Sequence, residues 1–227
     1  MAHSVPLRMD RRAFLHLTAA TAVVAAASRT GLGNAASDLQ PMPLPLPQLD
    51  GGRPLMQVVK GRRSARAFSP KPLPAQVLGN LLWVAFGVNR QDSGGRTAPS
   101  ASNSQEMEIY VATADGLFLY AANAHRLQPI LGEDIRALTG RQGFVKDAPV
   151  NLIYVSDLAK MKAAAEDREF YAGAHAGFIG QNVYLFCASE GLATVIRASI
   201  DRPALARRMG LRPHQKITLS QSVGYPA

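Results

Sequence analysis

The order of apolar and polar positions divides this chain into a short series of helices and strands. Apolar residues at helical spacing predict helices over Leu55 to Arg62 and Pro74 to Val88, the second opened by Pro72 and Pro74 and closed around Gly87. Met107 to Thr113, alternating its side chains in the strand manner, predicts a strand, and the β-rich run Asn151 to Val155, just after Pro149, predicts another. A long apolar helix is predicted from Arg168 to Glu190, with Gly191 as its stop, because glycine readily takes the left-handed conformation that ends a helix. An extended piece at Thr194 to Arg197, a helix from Pro203 to Met209 and a last strand from Lys216 to Gly224 complete the pattern. These strands are too few and too unevenly spaced for a regular βαβ succession. An α+β sandwich, a mainly antiparallel sheet with helices on its faces, fits better.

The residues before this pattern read as targeting and tether. Asp10-Arg11-Arg12-Ala13-Phe14-Leu15 is a twin-arginine signature, followed by an apolar stretch from Leu17 to Ala27 and small residues from Gly33 to Ser37 that suit signal peptidase. Residues 1–36 are therefore expected to be a removed export signal, which places the mature protein in the periplasm or otherwise outside the cytoplasm. An uncleaved anchor is the second reading, against which the apolar stretch falls short of the roughly 20 residues a spanning helix needs. No transmembrane segment is expected once the signal is gone. Proline at every second position in Gln40-Pro41-Met42-Pro43-Leu44-Pro45-Leu46-Pro47-Gln48 forbids helix, so 37–52 is expected to be an extended polyproline-like linker. That leaves 53–227 as one domain with a sizeable core.

Charge narrows the partners. The chain carries +9, but the leader holds four arginines against one acid, so its removal leaves about +6. No zinc-finger spacing or RNA-recognition aromatic motif accompanies the charge, so nucleic acid is not expected as a partner. An anionic cofactor or an anionic membrane surface explains it better. Cys187 is the only cysteine, lies within the long apolar helix, and reads as a buried thiol. No metal-ligand spacing, paired-carboxylate site or Ser-His-Asp order can be assembled. His175, with Tyr171 four residues before it and Phe178 three after, reads as a packed or hydrogen-bonded histidine.

Two segments carry the chemistry. Arg62-Arg63-Ser64-Ala65-Arg66-Ala67-Phe68 gathers three guanidinium groups and a hydroxyl in five positions, which suits a phosphate. Arg96-Thr97-Ala98-Pro99-Ser100-Ala101-Ser102-Asn103-Ser104-Gln105 offers small hydroxyl and amide side chains suited to a polyol and the polar edge of a planar ring. Taken alone, the first also reads as a solvated basic helix end and the second as a flexible surface loop.

In that order the pair resembles the flavin mononucleotide (FMN) sites of the nitroreductase-like flavoproteins, most closely the branch related to the SagB-type azoline dehydrogenases. The resemblance extends over roughly Arg53 to Ala227. Leu81-Leu82-Trp83-Val84-Ala85-Phe86-Gly87-Val88 is similar to the helix before the loop, and Gly116-Leu117-Phe118-Leu119-Tyr120 with His125-Arg126-Leu127 to that branch's hairpin. Gly180-Gln181-Asn182-Val183-Tyr184-Leu185 and Gly191-Leu192-Ala193 resemble the central helix and its end, and Val223-Gly224-Tyr225-Pro226 the last strand.

The resemblance implies an FMN-dependent oxidoreductase working as a homodimer on a small molecule, with flavin at the subunit interface. Arg62, Arg63, Ser64 and Arg66 match the phosphate and ribityl contacts of one subunit, and Pro99, Ser100, Ser102, Asn103 and Gln105 the loop laid on the ring by the other. Ile196, Arg197 and Ala198 fall where the family aims backbone amides at the flavin N5 and O4 edge. No acid, base or nucleophile of the protein is implied, since the flavin carries the chemistry. For an exported enzyme, an extracytoplasmic substrate or a membrane redox partner is a better electron source than nicotinamide coenzymes.

Two features depart from the family's pattern. Many relatives place an acidic residue where Arg197 stands; a cation turned toward the ring would stabilise reduced anionic flavin. Many also continue past the last strand with a basic arm, where this sequence reads Gly224-Tyr225-Pro226-Ala227. The second departure keeps a flavin-poor binding or interaction module on the same fold as the alternative reading.

Overall fold

The computed structural model describes residues 39–227, so the export signature and the rest of 1–36 lie outside the described residues. The first element differs from expectation. Within the proline-rich segment, strand β1 (Met42–Pro43) docks on the edge of the sheet, and Leu44 is buried. The Leu44 amide donates to the His125 carbonyl at 3.1 Å, and the His125 Nε2–H donates to the Pro45 carbonyl at 2.9 Å. Proline does make this segment extended. Leu44 and the polar groups between the prolines then fasten it to the domain, so it is an edge strand rather than a free spacer.

The helices and strands follow in order. Helices α1 (Leu55–Gly61) and α2 (Ala75–Phe86) come first. A short hairpin of β2 (Val88–Arg90) and β3 (Gly95–Arg96) follows, which the sequence pattern does not announce. Then come β4 (Met107–Thr113), β5 (Gly116–Ala121), β6 (Arg126–Leu131) and β7 (Val150–Asp157). The long helix α3 (Arg168–Glu190), β8 (Ala193–Arg197), α4 (Arg202–Met209) and β9 (Gln215–Gly224) complete the chain.

One sheet of seven strands, in the order β1-β6-β5-β4-β7-β9-β8, organises the domain, and every neighbouring pair is antiparallel. β7 lies near its middle, with all eight residues buried. Both faces of the sheet are covered, which explains why β7 reads as a continuous rather than an alternating apolar run. On one face Leu78, Leu81, Leu82, Ala85 and Phe86 of α2 pack with Ala176, Ile179, Val183 and Cys187 of α3. On the other, Leu205 and Met209 of α4 pack against Tyr110, Ile153, Val155 and Ile217.

α3 crosses its face closely where an inward position is glycine. At Gly180 a Cβ would lie 2.4 Å from Ile196 Cδ1, so glycine lets the helix approach β8. Gly191 ends α3 in the left-handed conformation at φ 71°, and the Gly191 amide bonds back to the Cys187 carbonyl. Arg53 closes the same end, its guanidinium donating to the Ala188 and Ser189 carbonyls. Such a cation is favourable where unpaired helix carbonyls gather.

Candidate functional site

After α1 the chain cannot continue as a helix, because Arg62 takes extended angles (φ −58°, ψ 126°). The stretch Arg62 to Phe68 then runs along the free edge of β8, where the Ala65 amide donates to the Thr194 carbonyl at 2.9 Å. Phe68 anchors its far end, buried against Phe144 at a centroid separation of 5.9 Å. One extended segment thus presents its arginines beside the edge of the sheet.

Tyr184 of α3 ties these parts together. Its hydroxyl accepts the Ile196 amide proton at 3.0 Å and lies 2.8 Å from Ser64 Oγ, while the Arg62 guanidinium stacks 5.0 Å above its ring. A cavity of about 370 Å³ opens here, lined by Arg53, Arg63, Ala65, Tyr184, Ala193 and Thr194 among others, with no carboxylate in its wall. Arg63, Ser64 and Arg66 are exposed, and Arg62 is half-buried. Among the described residues, none of these arginines forms an ion pair. Guanidinium groups free of acids around a cavity of this kind are suited to an anionic ligand.

The edge of β8 offers one further donor. Pairing with β9 uses the alternate groups of the strand, so Ile196 N–H points outward and is taken by Tyr184. The Ala198 amide, next on that edge, has no hydrogen-bond partner among the described residues. Arg197 turns through the opposite face of the strand and is 5 % exposed. Its guanidinium donates to Thr139 O at 3.0 Å, Asn151 Oδ1 at 2.8 Å and Ser222 Oγ at 3.0 Å, all of them neutral. Burial lowers its pKa to about 10, which leaves it charged at neutral pH.

The second predicted segment forms a different cluster. Ser102, Asn103 and Gln105 all adopt positive φ (51°, 49° and 47°), a conformation that must be held from outside. The restraint comes from α3: His175 Nε2 accepts the Ala101 amide at 2.9 Å, and its Nδ1 lies 2.6 Å from Glu106 Oε1. Ser104 donates to the other Glu106 oxygen at 2.7 Å, and the Gln105 amide donates to Ser100 Oγ at 3.0 Å. The Gln105 side chain is engaged within the loop, donating to Gly94 O and Asn103 Oδ1 and accepting from Arg96 Nε. Pro99, Ser102 and Asn103 are the exposed residues here.

The chain therefore joins Arg62–Arg66 to the β8 edge but keeps the loop apart. His175 and Tyr184, which anchor the two clusters, are nine residues apart on α3, roughly 13 Å along the axis. Glu106 was not singled out from sequence. The available signal was an ionisable residue immediately before an apolar strand and directly after the polar loop. Cys187 is buried, and desolvation raises its pKa well above the usual thiol range, as a packing thiol requires. No cluster suited to a metal ion occurs among the described residues.

Comparison with known proteins gives consistent matches. The model of the Nitroreductase family matches residues 59–225. A protein of Methanocaldococcus jannaschii, provisionally named a nitroreductase, is 33% identical over 165 residues, covering 68% of this chain and 82% of that protein. A crystal structure from Ralstonia eutropha, also provisionally named a nitroreductase, superposes with a TM-score of 0.80 at 39% identity, covering 84% of this chain and 91% of that one. At 22% identity, a crystal structure from Desulfovibrio desulfuricans, of a provisionally named nitroreductase in complex with FMN, shares the fold with a TM-score of 0.58, covering 77% of this chain and 87% of that one.

Proposed function

The chain belongs to the nitroreductase family, and from that premise we propose that it is an exported FMN-dependent oxidoreductase of the branch resembling the SagB-type dehydrogenases. The observation that carries the cofactor is the acid-free cavity lined by Arg53 and Arg63 at the start of β8, with the free Ala198 amide further along the same strand edge. FMN fits this donor set: a phosphate suits Arg62, Arg63 and Arg66, the polyol suits Ser64, and the polar ring edge suits the Ala198 amide. Bound there, FMN supplies hydride or electron-pair transfer through N5. The protein holds the ring, and Tyr184 fixes the distance between the arginine segment and β8. The alternative, a flavin-poor binding or interaction module, draws no support from the geometry of this cavity.

The working unit is a homodimer. The loop Pro99 to Gln105 lies too far along α3 to meet the phosphate segment of its own subunit, so a second copy supplies it. Exposed apolar residues support this: Phe170 and Phe178 on α3, and Leu55, Met56 and Val59 on α1, face outward. Such exposed residues mark an association surface when they lie together.

The leader, with Arg11 and Arg12, directs the folded protein out of the cytoplasm. Its electrons then come from an extracytoplasmic substrate or a membrane redox partner. Anaerobic mixing of the FMN-loaded protein with NADH and NADPH, followed at the flavin band, tests this choice. Slow bleaching by both is expected. Reduction at the rate of cytoplasmic nitroreductases would overturn it, and recovery of the full-length product only from the cytoplasm would overturn export.

A further inference from the structure

We propose that Arg197 is the charge that sets the redox potential of this site, raising it by placing an unneutralised cation beneath the strand edge that receives the flavin. The inference rests on the FMN reading. Three observations carry it.

First, the position is unusual for a cation. Arg197 is buried, forms no ion pair among the described residues, and has only neutral hydrogen-bond partners. Its Nε is buried without any partner. A buried charge is normally paired, and leaving one unpaired is costly. If Arg197 served only to fasten Thr139 and the following turns to the sheet, a neutral donor would do so at lower desolvation cost.

Second, the site is built around the guanidinium. A Cβ at Gly140 would lie within contact of Nη1, so glycine makes room for it. The Asn151 amide is oriented by its own bond to the Val145 carbonyl at 2.7 Å, which presents Oδ1 to Arg197. Ser222 Oγ lies 2.5 Å from the same Oδ1. Phe144 covers the charge, its ring centroid 5.8 Å from the guanidinium carbon.

Third, the place in the strand is specific. Arg197 lies between Ile196, whose amide is held by Tyr184, and Ala198, whose amide is the free donor. Buried and without an ion-pair partner among the described residues, a cation there favours the form of the ring that has gained electrons. The consequence is a site better suited to accepting electrons from its substrate than to delivering them to a weak oxidant.

Two variants test this, read by the midpoint potential of bound FMN in a spectroelectrochemical titration. Arg197→Gln removes the cation, and Asn151→Asp neutralises it while keeping Arg197 in place. Both should lower the potential, although the first weakens the hydrogen bonding at the guanidinium and the second strengthens it while giving up the bond to the Val145 carbonyl. An unchanged potential in Asn151→Asp overturns the proposal, whatever Arg197→Gln does. If Arg197→Gln does not fold, Asn151→Asp decides alone; if Asn151→Asp does not fold, an unchanged potential in Arg197→Gln overturns the proposal. Failure of the native protein to bind FMN overturns the FMN reading and this assignment with it, whereas FMN bound at an unshifted potential overturns the assignment only.

Discussion

His175 Nδ1 and Glu106 Oε1 lie 2.6 Å apart with both side chains buried. Because His175 Nε2 accepts the Ala101 amide, the ring proton resides on Nδ1 and is donated to Glu106. This pair, rather than the loop's own sequence, holds three residues at positive φ. His175→Ala leaves Glu106 buried with Ser104 as its remaining partner. A buried acceptor left short of a hydrogen-bond partner costs about 1–3 kcal/mol. Urea unfolding should show a loss of that order, and hydrogen exchange should show faster exchange at the Ala101 amide. An unchanged Ala101 rate would mean that the loop is held by other contacts.

Arg62→Ala combined with Arg66→Ala removes two proposed phosphate contacts. Charge-assisted hydrogen bonds contribute roughly 1.5–3 kcal/mol each, so FMN affinity should fall by about tenfold or more per arginine. Fluorescence titration measures it. Equal affinity in the variant would place the phosphate elsewhere.

Tyr184→Phe keeps the ring under Arg62 but removes the hydroxyl between Ser64 and Ile196. The Ile196 amide is left without its partner, at a cost of about 1–3 kcal/mol. Thermal unfolding should register that loss, and FMN affinity should fall with it because the arginine segment is no longer fastened to β8. A variant as stable as the native protein would show that the Ala65–Thr194 bond suffices.

The docked arm carries a pH dependence. His125 donates from Nε2 to Pro45 O and accepts from the Tyr120 hydroxyl at Nδ1, and desolvation by burial lowers its pKa. The folded protein therefore binds fewer protons than the unfolded chain just below the ordinary histidine value of about 6.5. Stability is full above that value and falls as pH drops through it toward the depressed folded pKa. Thermal unfolding at pH 7.5 and 5.5 should show the fall, reduced in His125→Gln. An equal fall in the variant would assign the effect to another group.

The helices and the main strands were legible because their periodicity is local. Arg168–Glu190 and Met107–Thr113 have the predicted bounds, since Gly191 stops the first and a run of β-favouring residues marks the second. Proline patterning predicts the arm's extended conformation but not its docking, which depends on His125 some 80 residues away. The fate of Arg197 was equally hidden, because Thr139, Asn151 and Ser222 meet only in the folded sheet. Glu106 escaped notice for the same reason, its partner lying 69 residues along the chain.

The most direct measurement is the visible absorption spectrum of the purified protein, lacking residues 1–36, after gel filtration with added FMN. Flavin bands that travel with the protein at the size of a dimer are the predicted result. A colourless protein that elutes apart from the added flavin would contradict the account.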